Sequence, residues 1–272
     1  MAALVLMVPA YVWLQNEPRL GIAPNPAFTW GNALQVAYPE YQIRHGGPYE
    51  MTPGFFRYRT LVEIETHAST DFSESPRRVA EISQNIVGEV TYPTMGPTSM
   101  TPFLSGFKGG TPARSGEKEQ ARTRARSVPA RQRVIVLAEL AAPLPEPQVP
   151  IHVDSGEWKR YFLSGVQPSS GKPLYWWPGW GGCTAMAISG VFCGTRNVID
   201  DYRQWLGQFT DGDSDALAEI GLDLKAMKAA AAEGRIYGFL HTDTGPDEIL
   251  DLLDLPEIRT VHIVETVPEP EE

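Results

Sequence analysis

At 272 residues, with 42% hydrophobic side chains and 7 Trp, the chain can bury a full core in one large or two small domains, which excludes an intrinsically disordered protein. Its net charge of −10 is unevenly spread: seven basic against nine acidic side chains over residues 1–111, seven against two over 112–133, and nine against twenty-two over 134–272. The acidic C-terminal half repels nucleic acid, so no nucleic-acid partner is expected.

In chain order, Ala2 to Leu14 is apolar throughout, yet shorter than the roughly 20 residues of a spanning helix. It lacks the basic start and the cleavage site of a secretion signal. Tyr11 and Trp13 stand where an interfacial aromatic belt would lie, so residues 1–16 read as the outer part of a membrane anchor that begins upstream. The competing reading is an N-terminal core strand or helix.

Residues 17–54, rich in Pro, Gly and Asn, predict extended segments and turns anchored by Trp30, Tyr38, Tyr41 and Tyr49. Phe55 to Glu65 alternates as a half-buried strand, with Phe56, Tyr58, Thr60, Val62 and Ile64 on one face, charges on the other, and Leu61 the exception. Ser75 to Val87 predicts a short helix with Val79, Ile82 and Ile86 inward, and Val87 to Tyr92 leads back into a strand. Residues 17–103 therefore form a strand-rich region, extracytoplasmic if the anchor holds. From 104 to 133 the glycines and Lys118, Arg122, Arg124, Arg126, Arg131 and Arg133 read as a basic flexible linker. A sharper alternative is an arm that touches an anionic surface such as lipid headgroups or cell-wall polyanions.

Val134 to Leu140 is a clear strand that opens a second folded part over 134–266, followed by the breaker run Pro143 to Pro147. In Leu174 to Gly182 the tryptophans read first as core, while exposed Trp176, Trp177 and Trp180 would suit a cell-wall saccharide. Asp211 to Asp215 has acids at calcium-loop spacing, but Leu222 stands where the twelfth-position Glu belongs, so helix capping by Asp213 or Ser214 explains them better. Leu217, Ile220, Leu224, Met227 and Ala231 predict one amphipathic helix ended by Gly234. Ile236 to His241 then predicts a strand, and Thr244 or Gly245 caps a helix with Pro246 in its first turn. That helix stops at Pro256, and β-branched residues from Ile258 to Val264 predict the last strand. Residues 236–264 thus predict a β-α-β unit with parallel strands and a right-handed crossover. The fold class is α+β: a strand-rich N-terminal part and a C-terminal α/β domain built around that unit. A single Gly between Thr242 and Pro246 offers no phosphate cradle, and no cofactor is expected.

Nucleophilic catalysis would have one place to act. Cys183, after Gly181-Gly182 at the start of a small-residue helix, could take His241 or His262 as base, oriented by Asp243 or Asp200. A papain-like cysteine hydrolase is the enzyme alternative, although that family's Gly-x-Cys-x-x-Cys-Trp signature is absent. Cys183 and Cys193 match no zinc spacing; one disulfide or two buried small hydrophobes satisfies the pair. His-Glu-x-x-His, Gly-x-Ser-x-Gly and Walker patterns are missing, and the five histidines (His45, His67, His152, His241, His262) are scattered. No catalytic, cofactor-binding or metal residue is assigned.

Three stretches resemble the sigma factor regulator C-terminal domain of membrane-bound anti-sigma factors, mainly of Gram-positive bacteria: Val134 to Leu144, Tyr175-Trp176-Trp177, and Ile236 to Leu240 running through Thr244-Gly245-Pro246-Asp247-Glu248-Ile249-Leu250 to Ile258-Arg259. The resemblance covers about half the chain and is carried by structural motifs. It implies a non-catalytic extracytoplasmic sensory or regulatory domain behind a single anchor at the cell membrane. A sigma factor would bind a cytoplasmic segment that is not in this sequence, and a second membrane protein is a further candidate partner.

Overall fold

The computed structural model describes residues 26–45, 57–67, 78–85, 87–150, 160–177 and 197–266, with the side chains of 26–28, 44–45 and 57–58 left out. Residues 1–16, Tyr49, Phe55, Phe56, His152, Trp180, Cys183 and Cys193, on which several expectations rest, lie outside them. The described chain is α+β, with two antiparallel sheets. Among the described residues no helix is long and apolar enough to cross a membrane.

The first sheet orders its strands β1 (Tyr41–His45), β2 (Arg57–Thr66), β3 (Arg78–Asn85) and β4 (Val90–Thr91). β2 is the strand expected, with Val62 and Ile64 buried and Leu61 outward. Residues 78–85 form a strand and not the predicted helix, because β2 has a second edge to satisfy: Thr60 opposes Ile82 and Val62 opposes Ala80 on the core side. Val79, expected inward, is 57% exposed on the other face. The supposedly extended 17–54 region contains helix α1 (Pro26–Ala37), which buries Trp30, Ala33, Leu34 and Ala37 at i, i+3, i+4 and i+7. Gln35 in α1 closes the free edge of β1 like a neighbouring strand: its Oε1 accepts from Ile43 N at 2.8 Å and its Nε2 donates to Tyr41 O at 2.7 Å.

Next come the short α2 (Thr101–Ser105) and α3 (Glu117–Arg126). The stretch 104–133 is therefore not a loose linker. Ala121 and Ala125 bury one face of α3, and its basic side chains close the end of a later helix, as shown below. Gly109 and Gly110 pack here: a Cβ on Gly109 would come 2.1 Å from Tyr237 O, and Gly110 N donates to Leu140 O at 2.8 Å.

The second sheet has the order β7 (Pro173–Trp176), β6 (Arg160–Val166), β8 (Ile236–Thr244), β5 (Val134–Leu144), β9 (Ile258–Thr266). Val134 to Leu140 is buried at every residue, so β5 needs cover on both faces and partners on both edges, and it takes an interior place. It runs antiparallel to both β8 and β9, with Ala138 opposing Phe239 on one side and Val261 on the other. The two late strands are parallel in direction as expected, but they are not hydrogen-bonded neighbours: the 236–264 unit is split by β5. Helix α7 (Pro246–Asp254) joins them, with Glu248 Oε2 accepting from Gly245 N at 2.7 Å at its start.

Helix α4 (Val198–Leu206) precedes a pair, α5 (Ser214–Glu219) and α6 (Leu224–Glu233), where one helix was expected. Gly221, at φ 79°, ends α5: Leu222 N reaches Leu217 O and Gly221 N reaches Ala218 O, the two bonds of a Schellman cap. Asp223 then caps α6 by accepting from Lys225 N and Ala226 N. The five expected core residues are still buried, because the break keeps their stripe on one side. Asp213 stands at the N-cap of α5 as expected, but its side chain makes no cap bond there; it accepts from Thr210 N at 2.7 Å at the start of the preceding 3-10 turn, Asp211–Asp213.

An aromatic run ties α1 to the second sheet. Trp30 meets Phe209, Phe209 meets Trp205, and Trp205 meets Trp176, at 5.3, 5.0 and 5.0 Å between centroids. Trp205 Nε1 also donates to Thr29 O at 3.1 Å. Within the second sheet, a Cβ on Gly238 would lie 2.5 Å from Ala138 O and 2.9 Å from the Phe107 ring, whereas one on Gly165 meets nothing within 4 Å. Gly238→Ala is expected to cost about 1–3 kcal/mol through overpacking, and Gly165→Ala to be near neutral; urea midpoints of the two variants check the contrast.

Candidate functional site

Three polar arrangements stand out in a chain otherwise sorted by hydrophobicity. The first lies inside the second sheet. Glu139, in the middle of β5, has a side chain 1% exposed, and Arg259 on β9 donates from Nη1 to its Oε2 at 2.6 Å. His262 on the same strand approaches Glu139 Oε1 with Nε2 at 3.0 Å. Arg259 Nη2 donates in addition to both oxygens of Glu117 at the start of α3, at 2.7 and 2.6 Å. The Glu117 carboxyl is held below the usual range by the Arg114 backbone N–H it accepts and by the Arg259 charge, against the opposing effect of desolvation.

Above this network α3 covers the end of α7. Lys118 Nζ donates to Leu255 O at 2.7 Å, and Arg122 Nη2 to Leu253 O at 3.2 Å and Asp254 Oδ1 at 2.9 Å. These carbonyls are the ones a helix end leaves without intrahelical partners, and cations suit the negative end of its dipole. Arg133 pairs with Asp243 at 2.9 Å. The arm read as facing an anionic surface thus has Lys118, Arg122 and Arg133 directed at this chain's own acids and carbonyls.

The second arrangement joins the sheets. His67, fully buried after β2, donates from Nε2 to Pro39 O at 2.7 Å, which leaves Nδ1 as the acceptor facing Arg160 Nη1 at 3.4 Å. Burial first and the Arg160 charge second push its pKa down to about 3. Arg160 also lies over the Trp177 ring at 5.2 Å. Nearby, Lys172 pairs with the buried Glu40 and sits 4.8 Å above the Tyr38 ring.

The third is a cleft of about 510 Å³ between the β4 end of the first sheet and the junction after α5. Tyr38, Val90, Tyr92, Met95 and Ile220 line it, with Glu89 and Glu219 at its rim. The Tyr92 ring stands edge-on to Trp30 at 6.3 Å. Its hydroxyl is buried and has no hydrogen-bond partner among the described residues. Burial raises the Tyr92 pKa, and the charges of Glu219 and Asp213 add to the rise. Burial and the Glu40 charge likewise raise that of Tyr38.

The candidate catalytic residues are not assembled among the described residues. His241 Nδ1 lies 2.6 Å from Thr244 Oγ1, His262 is engaged by Glu139, Asp243 by Arg133, and Asp200 by Arg203 at 3.0 Å. Cys183 lies outside the described residues. Trp176 and Trp177 are core residues, 3% and 5% exposed, so they offer no face to a sugar; this removes two of the three side chains on which the saccharide alternative rested. No group of three or more His, Cys, Asp or Glu is placed to hold a metal among the described residues. No protein-family model, curated protein or solved structure matches the chain.

Sequence reasoning missed both the network and the cleft. The network had a signal: a lone Glu139 in the apolar run 134–140 and a lone Arg259 in a β-branched strand are charges that burial forces to pair. The cleft had none, since its walls come from residues more than a hundred positions apart.

Arg259→Leu, which leaves Glu139 buried without its guanidinium, is expected to destabilise the fold by about 3–5 kcal/mol, and Glu139→Leu in the same chain to recover part of that loss; chemical denaturation of the single and double variants measures both. His67 gives a pH signature. Its folded pKa lies below the ordinary 6.5, so the unfolded chain binds the proton first and stability falls as pH drops from 6.5 toward about 3. The expected slope is about 1.4 kcal/mol per pH unit well inside that window, and it is absent from the pH titration of stability in His67→Gln.

Proposed function

We propose that this chain is the extracytoplasmic sensory and regulatory portion of an anti-sigma-factor-like protein of the cell membrane, with no chemistry of its own. One observation supports the reading above others. The stretches that resemble the sigma factor regulator C-terminal domain are scattered from Val134 to Arg259, and their described strands β5, β7, β8 and β9 all fall in one sheet, with α7 linking the last two. The split of the 236–264 unit by β5 weighs against the resemblance, which had those two strands as neighbours, although Val134 to Leu144, the strand between them, belongs to the same set of motifs.

The ionised groups favour a binding module over an enzyme. Glu139, Arg259 and Glu117 pair with one another at the sheet, and the two histidines proposed as bases for Cys183 are held by Glu139 and Thr244. In this reading residues 1–16 belong to the anchor, the folded part lies outside the membrane, and a cytoplasmic segment holds the sigma factor.

The test uses the gene product at its natural locus with a C-terminal tag. It is expected in the membrane fraction, accessible to protease added outside spheroplasts, and to co-purify with a sigma factor after mild crosslinking. Deletion of the gene should raise transcription of one sigma-dependent regulon. Recovery in the soluble cytoplasmic fraction, or an unchanged transcript profile without a co-purifying sigma factor, overturns the proposal.

A further inference from the structure

The cleft between the β4 end of the first sheet and the end of α5 has no role in the regulatory reading as stated. Its chemistry is specific. Val90, Met95 and Ile220 make an apolar floor, two tyrosine rings stand in the walls, and the carboxylates at the rim are Glu89 and Glu219. Glu219 makes no hydrogen bond or ion pair among the described residues, while Glu89 accepts from Asn85 Nδ2 at 2.6 Å. Among the described residues no basic side chain lines the cleft. The two that come near are already committed: Lys172 pairs with Glu40, and Arg78 Nη1 donates to Thr94 O at 3.0 Å. The Tyr92 hydroxyl lies beneath the lining, closed off from solvent and without a partner among the described residues.

A cleft of about 510 Å³ is within the ordinary range for small ligands. An unpaired carboxylate at the rim, with no basic side chain lining the cleft among the described residues, disfavours an anion and favours a cation by ion pairing. The apolar floor asks for methylene groups beneath the charge. We infer that this cleft binds a small aliphatic ammonium ion, its N–H donors directed to Glu219 and its alkyl chain laid on Val90, Met95 and Ile220. The site stands on the cleft alone and its test involves no sigma factor, so the regulatory reading can fail without it.

The experiment is calorimetric titration of the purified full chain with cadaverine at low ionic strength, with succinate as the dianion of comparable length. Saturable one-to-one binding of cadaverine, weakened by added salt and absent for succinate, is expected. Glu219→Gln, a surface substitution, should weaken it about tenfold, the equivalent of roughly 1.4 kcal/mol. Absence of saturable cadaverine binding, equal binding of succinate, or an affinity untouched by Glu219→Gln overturns the inference.

Discussion

A carboxylate at the centre of a strand that is hydrogen-bonded on both edges and covered on both faces can reach water only by breaking the sheet. Glu139 is in that position, and its charge has to be met by groups the sheet itself supplies. Arg259 meets it across the β5–β9 ladder, and the same guanidinium reaches outward to Glu117. The register of β9, the docking of α3 and the neutralisation of Glu139 are therefore one condition. Shifting β9 by one residue would turn Arg259 to the opposite face and leave a buried anion behind.

That condition also accounts for the uneven charge along the chain. The basic segment 112–133 and the acidic half after it attract each other within the molecule: Arg122 pairs with Asp254 and Arg133 with Asp243, and Lys118 and Arg122 close the end of α7. Such exposed pairs contribute little singly, but several along one helix hold it in a single seat. The other large joint, between the two sheets, uses different means. There the aromatic run from Trp30 to Trp176 supplies apolar area, and His67 stays neutral beside Arg160.

How far the fold was legible depended on what each residue had to satisfy locally. The strands at 57–66, 134–144 and 236–244, the helix from Pro246 and the strand after Pro256 follow from alternation, caps and breakers, all written within a few residues. The errors came where tertiary demand outvoted local pattern. Residues 78–85 became a strand because β2 had a free edge; Pro26–Ala37 became a helix because Trp30 and Leu34 had a core to enter. Gly221 cut one amphipathic stripe into two helices that keep the same buried side. The insertion of β5 between β8 and β9 could not be read from the 236–264 pattern, since antiparallel partners carry no mark of their distance in sequence. At the sites, Glu139 and Arg259 announced themselves as misplaced charges without naming each other, and the cleft is made by the meeting of segments far apart in sequence.

The position of β5 has a bearing on synthesis. Leaving the ribosome, Val134 to Leu140 has neither neighbour: β8 follows about a hundred residues later, and the groups Arg259 unites lie 120 and 142 positions from it. A nascent chain halted near residue 245 would expose one long apolar edge with an unanswered carboxylate in it, the kind of surface on which chaperones act and strands aggregate. Closure of the sheet then waits for β9, so its emergence decides when the hazard ends.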